Sequence, residues 1–479
     1  MTKYLTTIGL EFHAELKTKT KIFCSCPTDF AGDANTHVCP VCLGLPGVLP
    51  ALNRHVVELA AKAGLALNCE VQRFSKFDRK NYFYADLPKG YQVTQFPKPI
   101  CLNGWLMVKD ADGNDKKIRI NRIHMEEDAG KLVHSGTNLS DSDYSLCDYN
   151  RAAVPLIEIV TEPDMSSAEE ARNFGETLRL MLAYADISDV KMEQGSLRCD
   201  VNISLRPEGT DELGTKVEIK NLNSFRAVQR AIEYEEERQA DMLDQGERIV
   251  QETRLWDEGE GITKSMRSKE DSHDYRYFPE PDLPPVIIDD AWMAEIAASM
   301  PEMPNAMKER LTGELGLSDY DAGQITSQPA LAKFFNQLYA ECGDAKASAN
   351  WLLGDVSRLM NTIEGDAVPV DPRELAFLIG EIKKGAINNN SAKTVLEEMF
   401  GTDKKAADII KEHGFAQISD TSLLDEAIAK ALEANPQPVA DYKAGKKAAI
   451  GFLVGQVMKA TKGQANPGMV KEMLEKALS

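Results

Sequence analysis

The 479-residue sequence has no uninterrupted apolar run approaching the roughly 18 residues that a bilayer-spanning helix needs, and no charged-then-apolar leader opens it. A cytoplasmic location is the expectation. Positive charge is also in deficit: 55 basic against 75 acidic side chains leave a net charge of −20. Such a surface repels nucleic acid and anionic lipid as a whole, so any RNA contact must be local. Neither a G-x-x-x-x-G-K-[ST] phosphate loop nor a G-x-G-x-x-G turn occurs, and a nucleotide would therefore have to bind through a sheet. A hydrolytic nucleophile has no recognisable setting either. There is no glycine-serine-rich amidase signature and no G-x-C-x-G elbow, and position 2 is threonine rather than an N-terminal cysteine.

What is present is the composition of a soluble globular protein, 43% hydrophobic and 27% charged. The length suits about three domains. Five of the nine cysteines, Cys69, Cys101, Cys147, Cys199 and Cys342, are scattered and read as small buried hydrophobes. The other four cluster in "CSCPTDFAGDANTHVCPVC" as Cys24, Cys26, Cys39 and Cys42. Two close pairs across a short loop suit a tetrahedral thiolate site, each pair spanning one edge of the tetrahedron. Structural zinc is the expectation, with free or redox-active thiols the alternative. With four cysteine ligands, such a site leaves no open position for catalysis.

Residues 1–290 read as strands and loops with a few helices, one capped by Ser167 with Glu170 and another starting near Ser224. The proline-rich "YRYFPEPDLPPVIIDD" should end this region. A helical region over 291–400 follows, in which Asp371 caps a helix, Pro372 takes its first position and Gly385 stops it. A last helical unit covers 401–479. The expected class is α+β, with two all-helical domains after the first.

In "TTIGLEFHAEL", Ile8, Leu10, Phe12 and Ala14 alternate with Gly9, Glu11, His13 and Glu15, so two acids and a histidine share one face of a strand. A solvent-facing edge would give the same pattern. Three more rows resemble it: Arg198, Asp200, Asn202 and Ser204; Lys216, Glu218 and Lys220; and the run Glu126, Glu127, Asp128 and Lys131. The strands carrying the first two are close enough in sequence to pair as a hairpin. Four such rows suit a floor for Mg²⁺ and phosphates, because Mg²⁺ takes few protein carboxylates and fills its remaining positions with water and phosphate. "KFDRKNYFYADLPKGYQ" interleaves Lys76, Arg79, Lys80 and Lys89 with five aromatics, a pattern that suits a nucleotide or an RNA end. A core strand with exposed lysines is the plainer reading.

The words "GLEFHAEL", "KFDRKNYFYADLPKGYQ", "HMEEDAGK", "NRAAVPLIEIVTEPD", "KMEQGSLRCDVNIS", "VEIKNLNSF", "DYRYFPEPDL" and "GFLVGQVMKATKGQANP" run in order along essentially the whole chain. Together they resemble the B subunit of the tRNA-dependent aspartyl/glutamyl amidotransferases. The resemblance implies a cradle with an antiparallel sheet, similar in fold to glutamine synthetase, then a helical domain and a tRNA-binding tail. It implies ATP-dependent activation of the side-chain carboxylate of Glu-tRNA(Gln) or Asp-tRNA(Asn) to an acyl phosphate. Ammonia from a glutaminase, the amidase or A subunit, then displaces the phosphate, and a small C subunit completes a heterotrimer. On matching positions, Glu11, His13 and Glu127 are implied metal ligands, with Glu126 a neighbour in that set. Lys80, Glu158, Lys191, Glu193, Asp200 and Glu218 are implied catalytic positions, and Arg79, Lys80 and Lys220 would hold the nucleotide. His13 is expected as a neutral imidazole ligand at pH 7. The resemblance also implies proline where Ala85 stands and glycine where Ala153 stands, putting local geometry there in question.

The tail supplies the local positive charge. From Asp441 to Ser479, Lys443, Lys446, Lys447, Lys459, Lys462, Lys471 and Lys476 face only Asp441, Glu472 and Glu475, a local excess of +7 − 3 = +4. Two rival functions fit part of the pattern. A ligase or kinase for a free small carboxylic acid would turn over ATP with glutamate and no tRNA, whereas a non-catalytic RNA adapter would bind no nucleotide.

Overall fold

The alternation at the start of the chain folds as one strand, β1 (Tyr4–Glu15), in the computed structural model. Ile8, Leu10, Phe12 and Ala14 are at most 1% exposed. A one-residue slip would turn Ile8, Leu10 and Phe12 onto the polar face, losing about 1.5–3 kcal/mol for each, so the register is fixed by burial.

Eleven further strands extend the sheet among the described residues: β2 (Glu70–Val71), β3 (Asp78–Asn81), β4 (Tyr91–Thr94), β5 (Cys101–Lys109), β6 (Asp115–Glu127), β7 (Pro155–Thr161), β8 (Leu197–Pro207), β9 (Val217–Leu222), β10 (Glu252–Asp257), β11 (Ile262–Ser268) and β12 (Phe278–Pro279). Their order is β11-β10-β9-β8-β1-β7-β6-β4-β3-β12, with β5 paired to β6 and β2 to β5. The expected hairpin of β8 and β9 forms. The sheet departs from the expected antiparallel arrangement at one pair, since β9 and β10 run parallel. The chain between them is a helix, and a crossover helix returns the next strand in the same direction.

Three helices matter to the site: α1 (Arg54–Ala66), α2 (Ala168–Tyr184) and α3 (Phe225–Asp244). Ser167 caps α2 and Ser224 caps α3, each accepting from a backbone N–H of the first turn. Phe174 of α2 lies 6.1 Å from Phe12, ring centre to ring centre, so α2 covers the apolar face of β1. Gly175 permits the close approach of α3, because a Cβ there would stand 2.5 Å from the Phe225 ring. Helices therefore occupy one face of the sheet and leave the polar rows on the other.

The structure describes residues 3–29, 31–135, 143–268, 275–363, 365, 367–415, 421–444, 446–461, 465 and 467–478. They divide into two units, Met1–Met303 and Pro304–Ser479. The second is helical. Asp371 caps Pro372–Lys383 by accepting from the Arg373 N–H at 2.9 Å, and Gly385 beyond its end has φ +70°. Thr421–Ala434, Ala449–Ala460 and Pro467–Leu478 enclose a core that includes Leu424, Leu453, Val457 and Leu474, each 0% exposed. Of the tail lysines, Lys446 pairs with Asp441 at 3.2 Å, and Lys462 lies outside the described residues. No helix among the described residues is long and apolar enough to cross a membrane.

Ala153 is buried with φ +63°. Its backbone is held there by its N–H donating to the Asp128 carbonyl at 2.9 Å and its carbonyl accepting from Ile22 at 3.1 Å. A Cβ in the left-handed region costs about 1–2 kcal/mol, while glycine adds about 0.4–1 kcal/mol of unfolded-state entropy. Ala153→Gly should therefore raise stability by roughly 0.5–1 kcal/mol in urea unfolding. A lower midpoint at unchanged slope would show that the strain is not there.

Candidate active site and thiolate centre

Register assembles the polar face. His13 on β1 stands opposite Glu158 on β7 and Arg198 on β8, Glu11 stands opposite Asp200, and Glu158 stands opposite His124 on β6. Residues paired across strands project to the same side, so the separate rows become one surface. His13 Nε2 lies 3.4 Å from a Glu158 carboxylate oxygen, 3.8 Å from Glu11 and 3.9 Å from Glu126. Two overlapping groups result, Glu11–His13–Asp200 and His13–Glu126–Glu158, each with donor atoms within 4.8 Å of one another. Ligands about 2.1 Å from an octahedral cation lie about 3 Å apart, so small side-chain movements would close either group on Mg²⁺.

The electrostatics fit a cation site. Burial penalises charge on His13, but its hydrogen bond to Glu158 and the charges of Glu158 and Glu126 outweigh that penalty and raise it to about 9. Without a cation His13 is therefore protonated at pH 7, and a metal using this nitrogen has to displace the proton to give the neutral ring expected of a ligand. Burial first and the charge of Glu158 second raise Glu11. Glu158 itself is held well below the usual carboxylate range: burial opposes its charge, but His124, His13 and Arg122 prevail.

Glu127 does not join this cluster. Adjacent strand residues face opposite sides, and its carboxylate accepts from the Val93 N–H at 2.7 Å and pairs with Lys89. It faces a cavity of about 80 Å³ shared with Tyr91, Ala153, Cys24 and Cys42. Glu126 faces the His13 side and accepts from Thr94 Oγ1 at 3.1 Å.

Among the other positions singled out in the sequence, Asp200 pairs with Lys220, which also lies 3.2 Å from Glu218. Burial opposes the Lys220 ammonium, yet Asp200 and Glu218 raise its pKa further. Glu218 accepts from Thr253 Oγ1 at 2.8 Å. Lys80 Nζ sits 4.9 Å from the Tyr275 ring centre and 5.7 Å from that of Tyr82. Arg79 is committed elsewhere, donating to both oxygens of buried Glu280 at 2.7 and 2.8 Å. Lys191 and Glu193 lie exposed in the turn before β8, and Glu193 borders a groove with Arg172 and Arg226.

Sequence reasoning missed Arg122 and His124. They share the side of β6 with Glu126, at spacing two, which was the available signal. His124 Nε2 lies 3.5 Å from Glu158 and 3.6 Å from Glu126, and its buried Nδ1 has no hydrogen-bond partner. Arg122 lies 3.6 Å from Glu158.

The four clustered cysteines converge, with sulfurs within 4.8 Å of one another. Beside them Lys21 is 0% exposed, its ammonium 3.9 Å from Cys42 Sγ and 3.3 Å from the Tyr149 carbonyl. The hydrogen bond from Cys24 lowers Cys42 to about 5, with burial opposing and the Cys39 N–H and Lys21 assisting, and the same bond raises Cys24, so the metal-free cluster carries its charge on Cys42. A buried ammonium beside the Cys42 sulfur fits an anionic thiolate cluster, and the four-sulfur donor set fits Zn²⁺.

A polar face built on one strand register, backed by helices and followed by a helical region, defines a class that comparison with known proteins makes specific. Residues 6–294 match the GatB/GatE catalytic domain, and residues 333–478 match the GatB domain. The chain is 57% identical over 479 residues to the aspartyl/glutamyl-tRNA(Asn/Gln) amidotransferase B subunit of Thermoanaerobacter pseudethanolicus, covering 100% of both. It is 54% identical over 481 residues to that of Carboxydothermus hydrogenoformans, again covering 100% of both. That of Moorella thermoacetica is 55% identical over 478 residues, with 99% of this chain and 100% of the relative covered. The chain belongs to the B-subunit family of these amidotransferases.

Proposed function

We propose that the protein is the amide-forming subunit of a cytoplasmic, glutamine-dependent ligase that converts Glu-tRNA(Gln), Asp-tRNA(Asn) or both to the amidated forms. The observation that carries this reading is the cross-strand convergence of Glu11, His13, Glu126, Glu158 and Asp200 on one face of the sheet. A carboxylate is a poor acyl donor because its leaving group would be oxide. Transfer of the ATP γ-phosphoryl to a side-chain carboxylate oxygen, with release of ADP, converts that oxygen into a phosphate leaving group. Attack of ammonia nitrogen on the acyl carbon then expels phosphate and leaves an amide.

Mg²⁺ held by Glu11, His13 and Glu126, with Asp200 or Glu158, would supply charge neutralisation for the phosphoryl oxygens. Lys220, Lys80 and Arg122 are cations of this surface that would offset repulsion between the two anionic substrates. Asp200 and Glu218 hold Lys220 charged and in place. The buried histidine His124, on the same side of the sheet, orients Glu158 and Glu126. Cys24, Cys26, Cys39 and Cys42 hold a structural Zn²⁺ beside the cavity into which Glu127 faces. Ammonia comes from a partner glutaminase, the A subunit, which a small C subunit braces. In a three-part division, residues 1–290 carry the chemistry, 291–400 connect, and 401–479 bring the lysine-rich tail to tRNA phosphates.

A donor-switch assay tests the division of labour. The full chain alone should release no ammonia from glutamine, and the complex with its glutaminase nucleophile inactivated should still amidate Glu-tRNA when given ammonium chloride. Glutamine hydrolysis by the purified chain would overturn the reading.

A further inference from the structure

The function leaves the "YRYFPEP" segment that ends the first region without a role. Tyr275, Arg276 and Tyr277 run into β12, which pairs with β3 beside Lys80. Arg276 has φ +46°, a left-handed conformation that side-chain-bearing residues adopt at a cost of about 1–3 kcal/mol. Asn81 sustains it: its N–H donates to the Tyr275 carbonyl at 3.0 Å, and its Nδ2 donates to the Arg276 carbonyl at 2.9 Å. The Tyr275 and Tyr277 rings stand 5.9 Å apart, centre to centre, with their planes 69° apart.

The result is a chain of rings. Tyr82 meets Tyr275 at 6.0 Å, Tyr275 meets Tyr277, and Tyr277 meets Phe96 at 4.7 Å with planes 36° apart. Its inner end holds the Lys80 ammonium. Its outer end is open, with Phe96 49% and Tyr277 38% exposed. Core packing does not account for rings left this open at the end of a strained turn. Phe96 and Tyr277 also line one cavity of about 150 Å³ together with Lys80, Glu126 and Glu158. The aromatic edge and the carboxylate–cation floor thus belong to a single site.

We infer that Phe96 and Tyr277 form a stacking platform for the adenine of an adenosine whose phosphate or acyl end lies over the Glu126–Glu158 floor. This rests on the function proposed above, in which both substrates end in adenosine: ATP itself, and the 3′-terminal nucleotide that carries the amino acid. Stacking needs an exposed π face, which the platform offers, and Lys80 and Arg122 line the same cavity as the cations to meet phosphate charge.

The test compares Phe96→Leu, Tyr277→Leu, their double variant and Tyr277→Phe in the full chain assembled with its partners, after circular dichroism confirms folding. One arm measures the dissociation constant of MgATP without tRNA. The other measures the KM for Glu-tRNA at saturating ATP, with tRNA ending in CCA. Loss of a stacked ring should weaken one arm by about tenfold, while Tyr277→Phe keeps its wild-type value. Weakened ATP binding assigns the platform to the nucleotide, and a raised tRNA KM assigns it to the 3′ end. Wild-type values in both arms for the double variant, or equal losses in Tyr277→Phe and Tyr277→Leu, would overturn the platform. A wild-type complex that neither binds ATP nor amidates tRNA would instead overturn the underlying function.

Discussion

Glu11→Ala and His13→Ala should each abolish tRNA-dependent ATP cleavage and amide formation together. The expected loss is on the order of a hundredfold or more, because a metal ligand acts where charge develops in phosphoryl transfer. His13 is the shared member of both donor groups, so its removal disconnects them. Glu11 borders only one, and raised Mg²⁺ should partly restore Glu11→Ala. Binding of tRNA and glutamine hydrolysis by the partner should stay nearly intact in both. The alternative for such a row is a solvated face, for which substitutions fall within about 0.5 kcal/mol of wild type. Normal amidation rates in both variants at saturating substrates would return Glu11 and His13 to that role.

Loss of zinc should produce the second large effect, on stability rather than chemistry. Lys21 is fully buried against the cysteine cluster, and a tetrathiolate without its metal either repels itself or takes up protons. Without the metal the two cysteine pairs lose the bonds that join them, and loss of a structural metal is among the mechanisms by which one substitution costs more than about 4 kcal/mol. Cys39→Ser should therefore lower Tm by on the order of 10 °C, with activity per folded molecule little changed. Cys342→Ser, remote from the cluster in sequence and lying in the second unit, serves as the control and should leave Tm unmoved. Elemental analysis that finds no zinc in freshly purified protein, or an unshifted Tm for Cys39→Ser, would remove the metal from the account.

The strand rows were legible because period-two alternation survives in a single sequence. Glu11 with His13, and Asp200 with Asn202, mark a polar face before any pairing is known. Pairing was not legible for the central strands, since β1 lies between β7 and β8, each more than a hundred residues away. That long-range register is what brings Glu158 and His124 to His13. Alternation, applied one residue further, separates Glu126 from Glu127, which share a motif and face opposite sides. Lys191 and Glu193 belong to another recognisable word, but they sit in a turn whose exposure depends on the strand it precedes. Arg79 and Lys80 likewise diverge by strand alternation, one toward Glu280 and the other toward the aromatic rings. The parallel step between β9 and β10 follows from the intervening helix, whose start at Ser224 is legible while the direction of the strand after it is not. Ala153 shows the opposite case, because a single substitution in a recognised motif located a left-handed residue that the backbone then displayed.

The central claim is that this face of the sheet couples ATP cleavage to amide formation on tRNA. It is tested most directly by incubating the assembled enzyme with ATP, glutamine and each mischarged tRNA in turn, then deacylating the tRNA to identify its amino acid while counting ADP. The account predicts glutamine from Glu-tRNA(Gln), asparagine from Asp-tRNA(Asn), or both, with about one ADP per amide and no ATP turnover on free glutamate. Recovery of unchanged glutamate and aspartate, or ADP formation that proceeds equally well without tRNA, would contradict it.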